Sequence, residues 1–347
     1  MLCGPLYRPK EVPVNPVMIA LALTVFGLGS AVSAVHVSAQ SPSLVKVDGS
    51  STVFPISEAV AEEFQKSTRG AVRVTVGISG TGGGFKKFCR GETDIQDASR
   101  PISSDELEEC RKHAVQFFEL PIAFDAMTLV ASPKNMWLQA VTLQELKTMW
   151  EPAAQGKITK WKQVNSAWPD EPLKLFGAGS DSGTFDYFTE AVVGKAKSSR
   201  GDYTGSEDDN TLVQGISADK GAIGYIPYAY YPPNKNKLKL IGVDAGHGPV
   251  LPSRDTVENG TYTPLSRPLF VYVSKKSAER REVKDFVEFY MKEALKLTEQ
   301  VKYVPLPADA YQTSLEHFHD GKLGTVFQGH SGVGMRIADL LKRESIQ

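Results

Sequence analysis

Cysteine is nearly absent from this chain, with three in 347 residues. No CxxC or histidine pair accompanies any of them, so the usual spacing of a structural zinc site is excluded. Charge of one sign is absent as well: 39 basic residues face 40 acidic ones. The chain therefore lacks the positive field by which proteins hold nucleic acid, and any anionic ligand has to be gripped locally. Beyond Leu28 no apolar run is long enough to span a membrane. Nucleotide fingerprints are missing too. The glycine-rich run Ser79–Gly84 has neither GK[ST] nor the GxGxxG spacing. Ser180 and Ser182 do not form G-x-S-x-G, because Asp181 holds the central place. His317 and His319 are a nominal metal pair, for which solvated loop histidines are the plainer reading. No metal or cofactor is expected, and Asn259-Gly260-Thr261 is a chance-level glycosylation sequon.

What is present begins with an export signal. Arg8 and Lys10 give a positive start, Val17 to Leu28 is apolar, and small residues lead to Val37-Ser38-Ala39-Gln40. Cleavage after Ala39 is expected, with an uncleaved anchor as the alternative. Loss of residues 1–39 removes Arg8, Lys10 and Glu11, which takes the formal charge from -1 to about -2. Cys3 goes with the leader. Cys89 and Cys110 remain, an even number for an oxidising compartment, and pair in a disulfide or stay as two buried thiols.

Three strand–polar loop–helix units follow. Leu44–Val47 runs through Ser50-Ser51-Thr52 into a helix from Ile56 to Lys66. Ala71–Ile78 runs through Ser79–Gly84 into a helix from Phe85 to Arg90. Thr93–Pro101 leads to a helix from Glu106 to His113, capped by Ser104 or Asp105. This rhythm marks an α/β fold with mostly parallel strands. Phe117–Val130 reads as two strand segments broken at Pro121 and Asp125. Leu143–Trp150 is an amphipathic helix capped by Thr142. Leu173–Phe176 is a strand that enters Gly179-Ser180-Asp181-Ser182-Gly183-Thr184-Phe185, with Asp181 a plausible cap for the next helix. Further strands are expected at Ala222–Pro227, Leu238–Val243 and Arg267–Val273, and a long helix at Ala278–Glu299. An amphipathic helix and a polar tail follow about Gly321.

In such sheets ligands bind beyond the C-terminal strand ends, and the hydroxyl-rich loops all hold that position. Hydroxyls and free N–H groups at a helix start suit an oxyanion, although each loop taken alone is equally well an ordinary turn with a cap. Arg100, in the third loop, offers a planar guanidinium for bidentate contact with an oxyanion, or makes a surface ion pair. Asp97 and Asp125 are acidic loop residues that either accept a ligand proton or serve as turns.

These motifs together resemble those of the periplasmic phosphate-binding proteins of ABC importers, the PstS family with its SphX-like branch. The resemblance rests on Asp48–Pro55, Gly80–Phe85, Ala98-Ser99-Arg100-Pro101-Ile102, Ile158–Trp161 and Asp181–Phe185, in that order over residues 44–330. It implies a two-lobed, type II-like binding protein whose mostly parallel sheets are joined by hinge strands. Lobe 1 would be 44–130 plus 265–347 and lobe 2 would be 131–264. It also implies that Ser51, Thr52 and Val53, then Ser79 or Thr81 with Gly82, and Ser182, Gly183 and Thr184 are the phosphate donors.

In two places the chain departs from the best-known family pattern. Arg100 stands where that pattern has a proton-accepting aspartate, and Ala178 stands where it has an arginine. The acceptor would then fall to Asp97, Asp125 or Asp181. The expected function is periplasmic capture of inorganic phosphate by a monomer and delivery to a membrane permease. Binding of another tetrahedral oxyanion, sensing without transport and a secreted phosphatase are the competitors. The last would need a metal cluster or an activated nucleophile, and the sequence displays neither.

Overall fold

In the computed structural model, which describes residues 42–344, the chain enters on β1 (Ser43–Gly49) and passes through a polar loop into α1 (Phe54–Ser67). Pro55 lies in the first turn of α1, where a missing N–H costs nothing. Ile56, Val60, Ala61 and Phe64 recur at helical spacing and face the core. The unit repeats through β2 (Val72–Ile78), α2 (Thr81–Phe88), β3 (Ile95–Ala98) and α3 (Ser104–Lys112). The long strand β4 (Phe117–Ala131) follows and is buried along its whole length. Next come β5 (Ala140–Thr142), α4 (Leu143–Trp150), α5 (Trp161–Val164), β6 (Lys174–Ala178), α6 (Gly183–Val193), β7 (Thr204–Ser206), α7 (Asp209–Ala218) and β8 (Ala222–Pro227). The chain continues with β9 (Lys239–Leu240), β10 (Gly242–Asp244), β11 (Pro249–Val250) and α8 (Arg254–Glu258). It closes on β12 (Ser266–Ser274), α9 (Lys275–Ala278), α10 (Arg281–Gln300), β13 (Val304–Pro305), α11 (Ala308–His319) and α12 (Ile337–Glu344). The leader expected over 1–39, with Cys3, lies outside the described residues. Among those described, no helix is long and apolar enough to cross a membrane.

The strands order as β2-β1-β3-β12-β4-β8-β6-β7. Parallel ladders hold the outer strands: β1 pairs with β2 and β3, and β6 with β7 and β8. The centre is antiparallel, because β12 runs against both β3 and β4. Residues 117–126 of β4 pair with β12 and residues 127–131 with β8, so this one strand belongs to both halves of a two-lobed α/β fold. Loops at the ends of β1, β2, β3 and β6 therefore face one another across a cleft.

Several sequence expectations needed correction. The predicted breaks at Pro121 and Asp125 are absent, and β4 is continuous. Leu269 pairs with Ala123 and Phe270 with Pro121, which leaves Ile122 as the extra residue of a bulge. A bulge takes up a proline that has no N–H to give the ladder. The glycines expected as loop before Phe85 form the first turn of α2. A side chain at Gly84 would collide with Gln96 and with Gly49 Cα, so only a bare backbone lets α2 lie against β1 and β3. Ser103, one residue earlier than expected, caps α3 in a capping box with Glu106. Ser182, and not Asp181, caps α6 by accepting from the Thr184 N–H at 3.1 Å. The predicted strand over Leu238–Val243 splits at Ile241 into β9, paired with β4, and β10, paired with β5. Thr142 does cap α4. Cys89, at the end of α2, is disulfide-bonded to Cys110 in α3.

The C-terminal helix covers two buried acids. Glu119 on β4 accepts from the Tyr272 hydroxyl at 2.6 Å and from the Val326 N–H at 3.0 Å. Burial pushes its carboxyl up to about 7 against the pull of Thr325, Tyr272 and Val326. Burial, helped by the charge of Glu119, pushes Glu344 on α12 up to about 8. His317 Nδ1 lies 3.8 Å from Glu344, and burial holds this imidazole below its usual range. Folding thus favours both acids protonated, while the unfolded chain ionises them near the usual carboxylate pKa. Stability from these groups is full below that value and is lost as pH rises through about 7 and 8. His317 works in the opposite sense only below neutrality. The melting temperature is expected to fall from about pH 5 to 8, each acid adding a slope of up to about 1.4 kcal/mol per pH unit between the ordinary carboxylate pKa and its own folded value, so that Glu344 carries most of the fall above pH 7. Glu344→Gln should flatten that fall in differential scanning calorimetry, and parallel curves for variant and wild type would rule the pair out as its source.

Candidate functional site

The site is built on helix starts. α1 begins at Val53 with no side-chain cap, and α2 begins at Gly80 with none. Their dipoles favour negative charge, while the Phe54 and Gly82 N–H groups are spent on the Ser50 and Asp181 carbonyls at 3.0 and 2.9 Å. The start of α6 is capped by Ser182, and its second residue is Thr184. Gly80 holds a φ of +74°, which a side chain would strain.

The loops meet on one arginine. Arg267 is the second residue of β12 and is fully buried, directly opposite Asp125 on β4 in the antiparallel register. Its Nε and Nη2 donate to Asp125 Oδ2 at 3.2 and 3.0 Å. The same Nη2 reaches Thr52 Oγ1 at 3.1 Å and Thr184 Oγ1 at 2.8 Å, so it shares two protons among three acceptors. The two threonine hydroxyls, one from each side of the cleft, lie 3.1 Å apart. Both accept from the guanidinium and one donates to the other, which leaves one hydroxyl proton of the pair to give. Arg267 Nη1 is buried and has no hydrogen-bond partner among the described residues. A buried guanidinium N–H left without an acceptor costs free energy, so the position favours an anion placed there. The Arg267 guanidinium also lies 5.7 Å from the ring centre of Tyr187, which fixes its plane.

Acids crowd this cluster. Burial raises the Asp125 carboxyl above its ordinary range, against the charge and hydrogen bonds of Arg267. Asp209, at the first position of α7, is buried, and burial pushes its carboxyl up to about 7 while the Ser51 hydroxyl holds it down. Its Oδ2 has no partner among the described residues. Tyr230 donates to the Ser51 carbonyl at 3.3 Å.

The other residues singled out from sequence fall in different places. Ser51, Thr52, Val53, Thr81, Gly82, Ser182, Gly183 and Thr184 are all buried at the cleft. Thr81 Oγ1 lies 3.2 Å from Ser99 Oγ and accepts from the Ser99 N–H. The Gly82 N–H is spent on the Asp181 carbonyl at 2.9 Å, across the cleft. Ser79 turns to Asp48, donating at 2.7 Å. Arg100 is engaged by two carboxylates: Nη1 and Nη2 each meet a Glu106 oxygen at 2.8 Å, and Nε meets Asp186 Oδ2 at 2.8 Å. Asp97 lies beneath the loops, where Ser57 donates to it at 2.9 Å and burial lifts its carboxyl well above the usual range. Asp181 is exposed and pairs with Lys86 at 2.9 Å.

Residues 36–294 match the PBP superfamily domain. The SphX protein of Synechococcus elongatus is 50% identical over 328 residues, which is 94% of this chain and 96% of that one. The phosphate-binding protein PstS of Staphylococcus epidermidis is 36% identical over 279 residues, covering 79% of this chain and 82% of its own. The chain belongs to the PBP superfamily, in its PstS/SphX group. A crystal structure of a putative phosphate ABC transporter substrate-binding protein from Clostridium perfringens, with bound phosphate, superimposes at a TM-score of 0.63 and 26% identity, over 76% of this chain and 100% of that one.

For a PstS/SphX chain, the residue that sequence reading missed is Arg267. It lies at the start of the strand expected over Arg267–Val273, where it reads as one more strand residue. A signal existed: it is the one charge in Arg267-Pro268-Leu269-Phe270-Val271-Tyr272-Val273, a run whose residues are all buried. A charge in a run that must be buried needs a partner, and Asp125 in the equally apolar β4 is its match. Asp209 gave no such signal, because it stands in the acidic, loop-like stretch Glu207-Asp208-Asp209.

Proposed function

We propose that this chain captures inorganic phosphate between its two lobes and delivers it, outside the cytoplasm, to the membrane permease of an ABC importer. The observation that carries the reading is Arg267, buried with an unpartnered Nη1 and joined by Nη2 to a threonine hydroxyl from each side of the cleft. Its phosphate-binding relatives support the same ligand. The donors proposed are the hydroxyls of Thr52, Thr81, Ser182 and Thr184 and the N–H groups around Ser51, Val53 and Gly183. Arg267, in place of Arg100, brings the positive charge, since Arg100 is already neutralised by Glu106 and Asp186. Lobe 1 is 44–130 plus 265–347, lobe 2 is 131–264, and the leader over 1–39 directs export. The protein is a carrier with no chemical step of its own.

Calorimetric titration of the purified protein with phosphate, sulfate and arsenate over a range of pH tests this reading. Saturable phosphate binding that sulfate does not displace at equal concentration is expected. Tighter sulfate binding would overturn the ligand assignment, and turnover of a chromogenic phosphate ester, lost in Ser182→Ala, would overturn the carrier role.

A further inference from the structure

The pairing of Arg100 crosses the cleft. Arg100 leaves the loop after β3, and Glu106 belongs to the first turn of α3 on the same side. Asp186 belongs to the first turn of α6 on the opposite side. The side chains of Arg100, Glu106 and Asp186 are 10%, 15% and 4% exposed, so all three charges are largely out of water. Glu106 holds Arg100 bidentately and is itself fixed by the Ser103 N–H and hydroxyl, both at 2.9 Å. Burial alone would raise the Glu106 carboxyl, but Arg100 and Ser103 overcome it and the net shift is downward. The guanidinium is therefore an anchored fork on lobe 1 with its Nε aimed at lobe 2.

We infer that Arg100 and Asp186 form a latch between the lobes, made on closure and broken on opening, with Glu106 as its anchor. The physical argument turns on what each lobe leaves behind when they part. Asp186 Oδ1 has no hydrogen-bond partner among the described residues, so Arg100 Nε is the strong donor this carboxylate has. Burial lifts the Asp186 carboxyl above its ordinary range even with Arg100 beside it. A buried carboxylate gains from a charge-assisted bond only while the geometry holds, and in the open form it regains water. Closure therefore trades hydration of Asp186 for Arg100, and the balance sets how long the cleft stays shut. Two weaker links lie along the same seam: Gly82 N–H to the Asp181 carbonyl, and the exposed Lys86–Asp181 pair. Of these three links, the Arg100 one alone is both an ion pair and buried. A latch also accounts for an arginine that sits in a ligand loop with its donors already committed.

Asp186→Asn tests the latch, because the two roles open to Arg100 predict opposite signs. If Arg100 is a latch, the variant releases phosphate at least fivefold faster in stopped-flow displacement, and the ligand-free protein shows a larger radius of gyration in X-ray scattering. If Arg100 holds the ligand, removing the Asp186 carboxylate frees a guanidinium N–H and takes away a negative charge near the anion, so binding tightens and release slows. Unchanged or slower release with unchanged scattering would overturn the latch. The kinetic arm rests on the phosphate-capture reading. Should the wild type bind no phosphate, that reading fails, and the scattering comparison still decides the latch. Glu106→Gln is the second variant: it leaves Asp186 in place and loosens the anchor, so it should move release in the same direction by a smaller factor.

Discussion

Replacing Arg267 with methionine is expected to abolish high-affinity phosphate binding, a loss of about 100-fold or more. A charge-assisted hydrogen bond is worth about 1.5–3 kcal/mol, and Arg267 both offers Nη1 to the anion and holds Thr52 and Thr184 with Nη2, so at least two such bonds are lost. The single variant carries a second cost. Asp125, fully buried, is left as an uncompensated carboxylate, and breaking a buried pair by removing one partner costs about 3–5 kcal/mol. A loss of binding in that variant alone would be open to the objection that it misfolds. The double variant Arg267→Met with Asp125→Asn removes the stranded charge and should restore much of the melting temperature. Its phosphate affinity should stay as low as that of the single variant. If the double variant melts like the wild type and binds phosphate within threefold of it, Arg267 is not the ligand's counter-charge.

Gly183→Ala is expected to weaken phosphate binding by about 100-fold while leaving the fold unchanged. Gly183 is the first residue of α6 and its φ is negative, so alanine suits the backbone there. The obstacle is the facing lobe: a Cβ would run into Thr81 Oγ1 and lie 2.7 Å from Ser99 Oγ. Those two hydroxyls are buried and bonded to each other, so neither is a flexible end that can swing away. Lobe 2 would have to stop short by an ångström or so. Hydrogen bonds weaken steeply beyond about 3.2 Å, and the bonds from both lobes are lost together. The melting temperature without phosphate should be unchanged, and the rise that phosphate produces in the wild type should shrink. Wild-type affinity in this variant would mean that the lobes do not approach so closely when the ligand is bound.

The two changes probe different things. Arg267 tests the chemistry of the site, while Gly183 tests the distance between its walls. A carrier that closes on its ligand needs both, and β4, the strand that serves both halves of the sheet, is where the hinge is expected.

Much of this protein is legible in its sequence because much of it is local. The strand–loop–helix units come from short-range periodicity. The loops Ser51-Thr52-Val53 and Ser182-Gly183-Thr184 come from hydroxyls and glycines placed at helix starts, where backbone chemistry alone defines a preference for anions. The cysteine pairing of Cys89 with Cys110 was open to counting. Tertiary structure decided the charges. Arg100 looks like the site's cation as long as Glu106 and Asp186 are only letters six and eighty-six positions away. Arg267 looks like a strand residue until β12 and β4 lie side by side and set it against Asp125. Local pattern fixes where a donor can stand on its own element, but a charge is defined by what neutralises it. In this fold the neutralising groups arrive from strands and helices far along the chain.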